Sequence, residues 1–311
     1  MTGASLGSDA SVNAVGTVIG LASAGLMFVS EKMWYGEPLF QFEVKRAFYN
    51  ALNNVAAQCG EPKAIHVNLV LPKKSQEPDI KSLMRYIAML ANEKTVEIAG
   101  GDTEVTENVL SPMVHFTAMG QYLPKRFDDE KTIAEAGDSI VIAGYTAASG
   151  TAAMVYLLWE ELSGWFQESY LKKALELEEY MDQTHAAVSA CRLGVRIMHD
   201  LSRGGIQSAL WELSQKTGRG VEAILDHIPI RQETIELCER YRLNPYRLLS
   251  NGAMLMVTKD GEALSRYLQQ EGIRAAVIGR LTDDHDKVLL KNDEKHYIEP
   301  PKGDQLYELL G

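Results

Sequence analysis

Thr95-Val96-Glu97-Ile98-Ala99-Gly100-Gly101-Asp102-Thr103-Glu104-Val105 is the stretch on which the fold of this 311-residue chain turns. The short run from Thr95 to Ala99 predicts a strand, and two glycines and an aspartate follow at its end. Paired glycines let a backbone approach a ligand closely, and an aspartate at the end of a strand can hold a hard cation. The plain alternative is a tight turn in which Asp102 bonds its own backbone.

Outward from this point, helix and strand patterns alternate. Upstream, Val44, Ala47, Phe48, Ala51, Leu52, Val55, Ala56 and Cys59 form one apolar stripe, which predicts a helix over Phe42 to Cys59. Gly60 stops it and Pro62 prevents its resumption. Ile65, Val67, Leu69 and Leu71 alternate with polar residues in a strand ending at Pro72, and Ile80 to Ala91 predicts the next helix. Downstream, Leu110 to Met119 predicts a strand. The uncharged stretch from Ala10 to Ser30 falls short of the roughly 20 apolar residues a membrane helix needs. It is interrupted by Gly16, Gly20 and Gly25 and lacks the basic start of a secretory signal. It reads as two buried strands, Val12 to Ile19 and Leu21 to Val29, broken near Gly20.

A polar segment with Pro124 and Asp128-Asp129-Glu130 places a domain boundary between Gly120 and Gly137. Beyond it come a buried strand at Ser139 to Ala143, a helix capped by Ser149, and long helices over Glu168 to Met198. Strands at Ala253 to Thr258, Ala275 to Gly279 and Lys287 to Leu290 flank a helix over Gly261 to Gln270. The chain is therefore a two-domain α+β or α/β protein, as its length also suggests.

Its net charge of −11, with no basic cluster beyond Lys73-Lys74 and Lys172-Lys173, argues against a nucleic-acid partner. Cys59, Cys191 and Cys238 have neither CxxC spacing nor an even count, which reads as buried thiols in a reducing, cytoplasmic compartment. The second candidate motif is His199-Asp200-Leu201-Ser202-Arg203-Gly204-Gly205-Ile206, a turn between two predicted helices. Amides at a helix start bind anions, and Arg203 would add a forked contact. The alternative is an N-cap by Asp200 or Ser202, with glycines for the bend. Asp9 is either a metal ligand or an exposed terminal acid, and Ser250-Asn251-Gly252 either lines a site or turns. There is no GxxxxGK[ST], HExxH or GxSxG motif, and the seven histidines do not cluster.

Taken in order, the chain shows an Asp9-Ala10 before a strand, Pro38-Leu39-Phe40, Asn53-Asn54-Val55-Ala56, Gly60-Glu61-Pro62, Leu71-Pro72, GGDTEV at Gly100 to Val105 and HDLSRGGI from His199. This order resembles the superfamily of aminoimidazole-ribonucleotide synthetase, formylglycinamidine-ribonucleotide synthetase, thiamine-monophosphate kinase, selenophosphate synthetase and the hydrogenase maturation factor HypE. Pro38-Leu39-Phe40 leans towards the last branch. The resemblance spans nearly the whole chain. It implies a PurM-like fold, with an N-terminal domain over 1–125 that pairs with its twin into a dimeric β-barrel. A C-terminal α/β domain follows over 126–311.

The resemblance also implies ATP and Mg2+ in an interdomain cleft. Asp9, Asp102 and Asp200 match its metal side, and Gly100, Gly101, Thr103, Asn54, Arg203, Gly204 and Gly205 match its nucleotide side. It names no catalytic residue here. Three positions depart from the family pattern. Asn54 stands where it has a carboxylate, Glu31 or Lys32 falls where it has a further Asp, and Arg203 replaces a second Asp of the Gly-rich turn. The cysteine through which HypE works, at its extreme C-terminus, has no counterpart after Cys238. The N-terminal cysteine of selenophosphate synthetase has none before Cys59. The expectation is an ATP-dependent phosphoryl-transfer or amide-activating enzyme, homodimeric, cytoplasmic, off the membrane and engaging a protein partner. The alternative is a non-catalytic nucleotide- or partner-binding protein with an eroded metal site.

Overall fold

The computed structural model describes residues 11–15, 17–25, 33–123, 134–195, 197–292 and 294–309. The first lobe is built on five strands: β1 (Ser11–Val15), β2 (Thr17–Gly25), β3 (Gly60–Pro72), β4 (Glu97–Thr106) and β5 (Met113–Tyr122), in the order β1-β2-β5-β3-β4. Only β3 and β4 run parallel; the other pairs are antiparallel. The first two strands meet at Val15 and Thr17, so the break falls there and not at Gly20, which lies inside β2 opposite Gly120. The sheet is open, with β1 and β4 at its edges, and no closed barrel exists among the described residues.

Two helices cross this lobe, α1 (Pro38–Ala56) and α2 (Glu77–Glu93). α1 begins four residues earlier than its apolar stripe suggests, because Pro38 at its first position needs no hydrogen-bond partner there. It ends before Cys59, which takes a left-handed conformation (φ 58°) and turns the chain into β3. α1 is buried on almost every side: β2, β5 and β3 lie on one face, and elements of the second lobe lie on the other. That double cover explains why Glu43, Arg46 and Asn53 are buried along with Val44, Phe48 and Leu52. Each large apolar side chain so buried contributes about 1.5–3 kcal/mol.

The second lobe has seven strands: β6 (Ser139–Gly144), β7 (Ile197–Asp200), β8 (Gly220–Ile224), β9 (Ala253–Thr258), β10 (Ala275–Thr282), β11 (Lys287–Lys291) and β12 (Glu294–Tyr297). Their order is β12-β11-β8-β10-β6-β9-β7. Its helices are α3 (Ala148–Leu162), α4 (Glu168–Leu175), α5 (Thr184–Arg192), α6 (Gly205–Thr217), α7 (Gln232–Tyr241), α8 (Gly261–Gln270) and α9 (Gln305–Glu308). One face of the sheet packs Ile142, Leu255 and Ile278 against α6. The other packs Val141, Met254 and Met256 against α5, α8 and the end of α1.

Three local expectations change. The helical reading of Glu168 to Met198 breaks at a 3-10 turn over Glu176–Met181, and the motif's His199-Asp200 ends strand β7 and does not follow a helix. A buried strand of four residues is too short to show a period of its own. Ser149 does not cap α3; Ala147 precedes the helix, and its N–H donates to Ser250 Oγ at 2.7 Å, from 103 residues away.

Candidate functional site

Gly101 lies within β4 and not in a turn beyond it. A Cβ there would fall 2.2 Å from the Val67 carbonyl oxygen on β3, so this glycine permits close approach of two strands. Asp102 and Thr103 follow on the same edge strand, both exposed, and the Thr103 N–H donates to Asp102 Oδ1 at 2.9 Å. β4 packs on β3 and α2, whereas β7, which carries Asp200, packs on β9, α1 and α6. Asp200 is buried at the end of β7, and Asn54 is half-buried in the last turn of α1. Asp9, Glu31 and Lys32 lie outside the described residues. Among the described residues no three His, Cys, Asp or Glu side chains converge as a metal site. The residues that the resemblance assigns to a metal therefore do not form a metal site by themselves among the described residues.

The Gly-rich turn does form the start of a helix, as its sequence suggests. Gly204 and Gly205 take φ values of 73° and 62°, and Gly205 backs onto Leu248 so closely that no side chain fits. The acceptor at this turn belongs to the chain. Asp304, buried just before α9, accepts the Gly204 N–H at 2.6 Å, the Leu306 N–H at 2.9 Å and the Leu249 N–H at 3.2 Å. Burial pushes its carboxyl above the ordinary value, against the pull of those three amides and of the Arg203 charge. Gly205 donates to Ser202 O at 3.3 Å, and Arg203 is exposed.

The lobes meet through a buried polar cluster that the sequence did not announce. Arg46 on α1 grips Glu43 with two bonds, Nε to Oε1 at 2.7 Å and Nη2 to Oε2 at 2.9 Å. Its remaining donors reach the Gly25 carbonyl at 3.1 Å, where β2 ends, and Asn251 Oδ1 in the second lobe at 3.3 Å. Asn251 in turn donates to Asn50 Oδ1 at 3.1 Å and to the Leu201 carbonyl at 3.3 Å, inside the HDLSRGG segment. Ser250-Asn251-Gly252 therefore lines this contact, the first of its two readings. One turn further along α1, Asn53 clamps the second lobe, donating to Met181 O at 2.8 Å and accepting from Gln183 N at 2.9 Å. The arrangement joins Asn54's helix to the Asp200 strand through fixed polar contacts. The sequence signal for it is a row of polar residues on α1, Glu43, Arg46, Asn50 and Asn53, three or four apart beside the apolar stripe.

The AIR synthase related protein family model for the N-terminal domain matches residues 7–122, and that for the C-terminal domain matches residues 135–291. The chain belongs to the AIR synthase related protein family. Within it, the chain is similar to HypE proteins. Carbamoyl dehydratase HypE of Bradyrhizobium diazoefficiens is 23% identical over 254 residues, covering 81% of this chain and 70% of that protein. The structure also matches HypE in a HypE–HypF complex, with a TM-score of 0.76 and 19% identity, covering 95% of this chain and 94% of the other. HypE in complex with ATP matches with a TM-score of 0.70 and 17% identity, covering 96% of this chain and 89% of the other. No helix among the described residues is long and apolar enough to cross a membrane.

Proposed function

We propose that this chain is an ATP-binding, HypE-like protein that uses ATP to activate an amide or carbonyl oxygen of a small substrate or a partner protein. The observation that carries the reading is the match of both lobes, over nearly the whole chain, to a hydrogenase maturation protein in complex with ATP. In this reading residues 1–125 form the dimerising domain and 126–311 the second domain. Asp102, Asp9 and Asp200 supply the Mg2+ side, and Gly100, Gly101, Thr103, Asn54, Arg203, Gly204 and Gly205 the nucleotide side. Bound Mg2+ would neutralise phosphate charge, and the chain's own work is to position the reactants. The open edge of β4, with exposed Val105, Leu110 and Met113 nearby, is the surface offered to a second copy. The HypE–HypF complex supports a protein partner for a relative of this fold. An acidic chain without a spanning helix among its described residues fits a cytoplasmic setting.

A second reading, a non-catalytic nucleotide- or partner-binding protein, is favoured by the amide at Asn54 and by Asp304 already holding the Gly204 N–H. Isothermal titration with ATP, with and without Mg2+, separates the two. Binding that requires the metal and disappears in Asp102→Ala supports the enzyme. Binding indifferent to metal supports the second reading, and no binding of ATP rejects both.

A further inference from the structure

Cys59 and Cys191, 132 residues apart, join in a disulfide across the two lobes, in place of the separate buried thiols that the cysteine pattern suggests. We propose that this pair is a reversible redox latch between the lobes, closed as a disulfide and open as two thiols, and set by a small-molecule thiol–disulfide couple. The Cα atoms stand 5.5 Å apart, inside the span a disulfide bridges without backbone movement. Both side chains lie in one apolar cluster with Ala56, Ala57, Val188 and Met254.

The same cavity suits the open form. Cys59 Sγ is 3.4 Å from the Val195 carbonyl oxygen, so a Cys59 thiol has an acceptor for its S–H where it stands. Cys59 occupies the left-handed residue between α1 and β3, and Cys191 the last turn of α5. From Cys191 five residues lead to β7 and so to the HDLSRGG turn. The bond thus ties the helix that bears Arg46, Asn50 and Asn53 to the segment that enters the Gly-rich turn.

Both sulfurs are buried, and a groove of about 330 Å³ opens between the lobes along segments that neighbour the pair in sequence. Pro62 and Lys63 line it three and four residues past Cys59, and Val188 and Arg192 flank Cys191. Arg192 there favours an approaching thiolate, whereas Lys63 is paired with Glu61 at 2.8 Å. The exchange is balanced. To open the latch, an external thiolate attacks one sulfur, giving a mixed disulfide and one protein thiolate. A second external thiol then resolves it, leaving two protein thiols and one small disulfide. Closing runs the same steps in reverse, with two electrons and two protons passing to a small disulfide such as oxidised glutathione. Cys238 takes no part. It is buried in a different cluster, and burial pushes its thiol up to about 12.

The test uses the whole chain, equilibrated with reduced or oxidised glutathione, acid-quenched, unfolded and alkylated for intact mass. The oxidised protein should take one alkyl group and the reduced protein three, and the two should interconvert on repeated cycling. Amide exchange in α5 and Leu193–Val195 should be about tenfold slower in the oxidised protein. Cys59→Ser and Cys191→Ser should each abolish both differences, and Cys238→Ser should leave the exchange difference intact. Three alkyl groups after oxidised glutathione overturn the proposal, as does a bond that forms without slowing exchange or that yields to reductant only on unfolding. The wild-type cycle decides these outcomes even where a variant fails to fold.

Discussion

Replacing Arg46 by Met takes the guanidinium away from the fully buried Glu43 and removes donors from Gly25 O and Asn251 Oδ1. Removing one partner of a buried ion pair costs about 3–5 kcal/mol, because the remaining charge keeps its desolvation penalty. Glu43→Leu leaves the guanidinium in the same position and should cost a similar amount. The double variant removes both charges together, so that penalty disappears. What remains is the loss of two bonds from Arg46 across to Asn251 and Gly25, worth about 1 kcal/mol each. The double variant should therefore be more stable than either single one, and the cycle should show a coupling of about 3 kcal/mol or more. The assay is equilibrium unfolding in urea, read from Trp34 in the first lobe and Trp159, Trp165 and Trp211 in the second, so that loss of coupling between lobes shows as separated transitions. Additive single effects, or an Arg46→Met variant within about 0.5 kcal/mol of wild type, would refute the reading of Glu43 and Arg46 as one coupled buried pair from which Arg46 reaches Asn251 in the second lobe.

Gly101→Ala should destabilise the first lobe by about 1–3 kcal/mol, since the added methyl meets the Val67 carbonyl and must push β3 and β4 apart. Denaturant unfolding checks this, and a neutral result would mean that the strands do not approach as described. Asp304 has a folded pKa above its unfolded one, so over that interval the folded state holds more protons and stability falls as pH rises through it. Wild type should therefore lose stability relative to the non-titrating Asp304→Asn variant as pH is raised from about 4 to about 7. Thermal unfolding of the two proteins side by side measures this, and a pH-independent difference would contradict it.

Periodic apolar patterns reached the structure with little loss. The α1 stripe, the alternation of Ile65 to Leu71 and the helix over Gly261–Gln270 appear where they were expected, because each depends on a face repeating every two or 3.6 residues. The glycines at 204 and 205 likewise proclaimed a bend at the start of a helix. Gly101 shows where such reading stops. Local sequence establishes that a backbone comes close there, but only the fold decides that one such neighbour is β3.

By itself the sequence determined the segments, their faces and, through the order of its motifs, the family. Tertiary structure alone decided that Arg46 reaches Asn251 across 205 residues, that Cys59 meets Cys191 across 132 and that Asp304 closes on Gly204 across 100. The physical reason is that burial of a repeating face is set by neighbours along the chain. The partner of a single buried charge, sulfur or amide is instead set only when two lobes dock, and no local pattern encodes that distance.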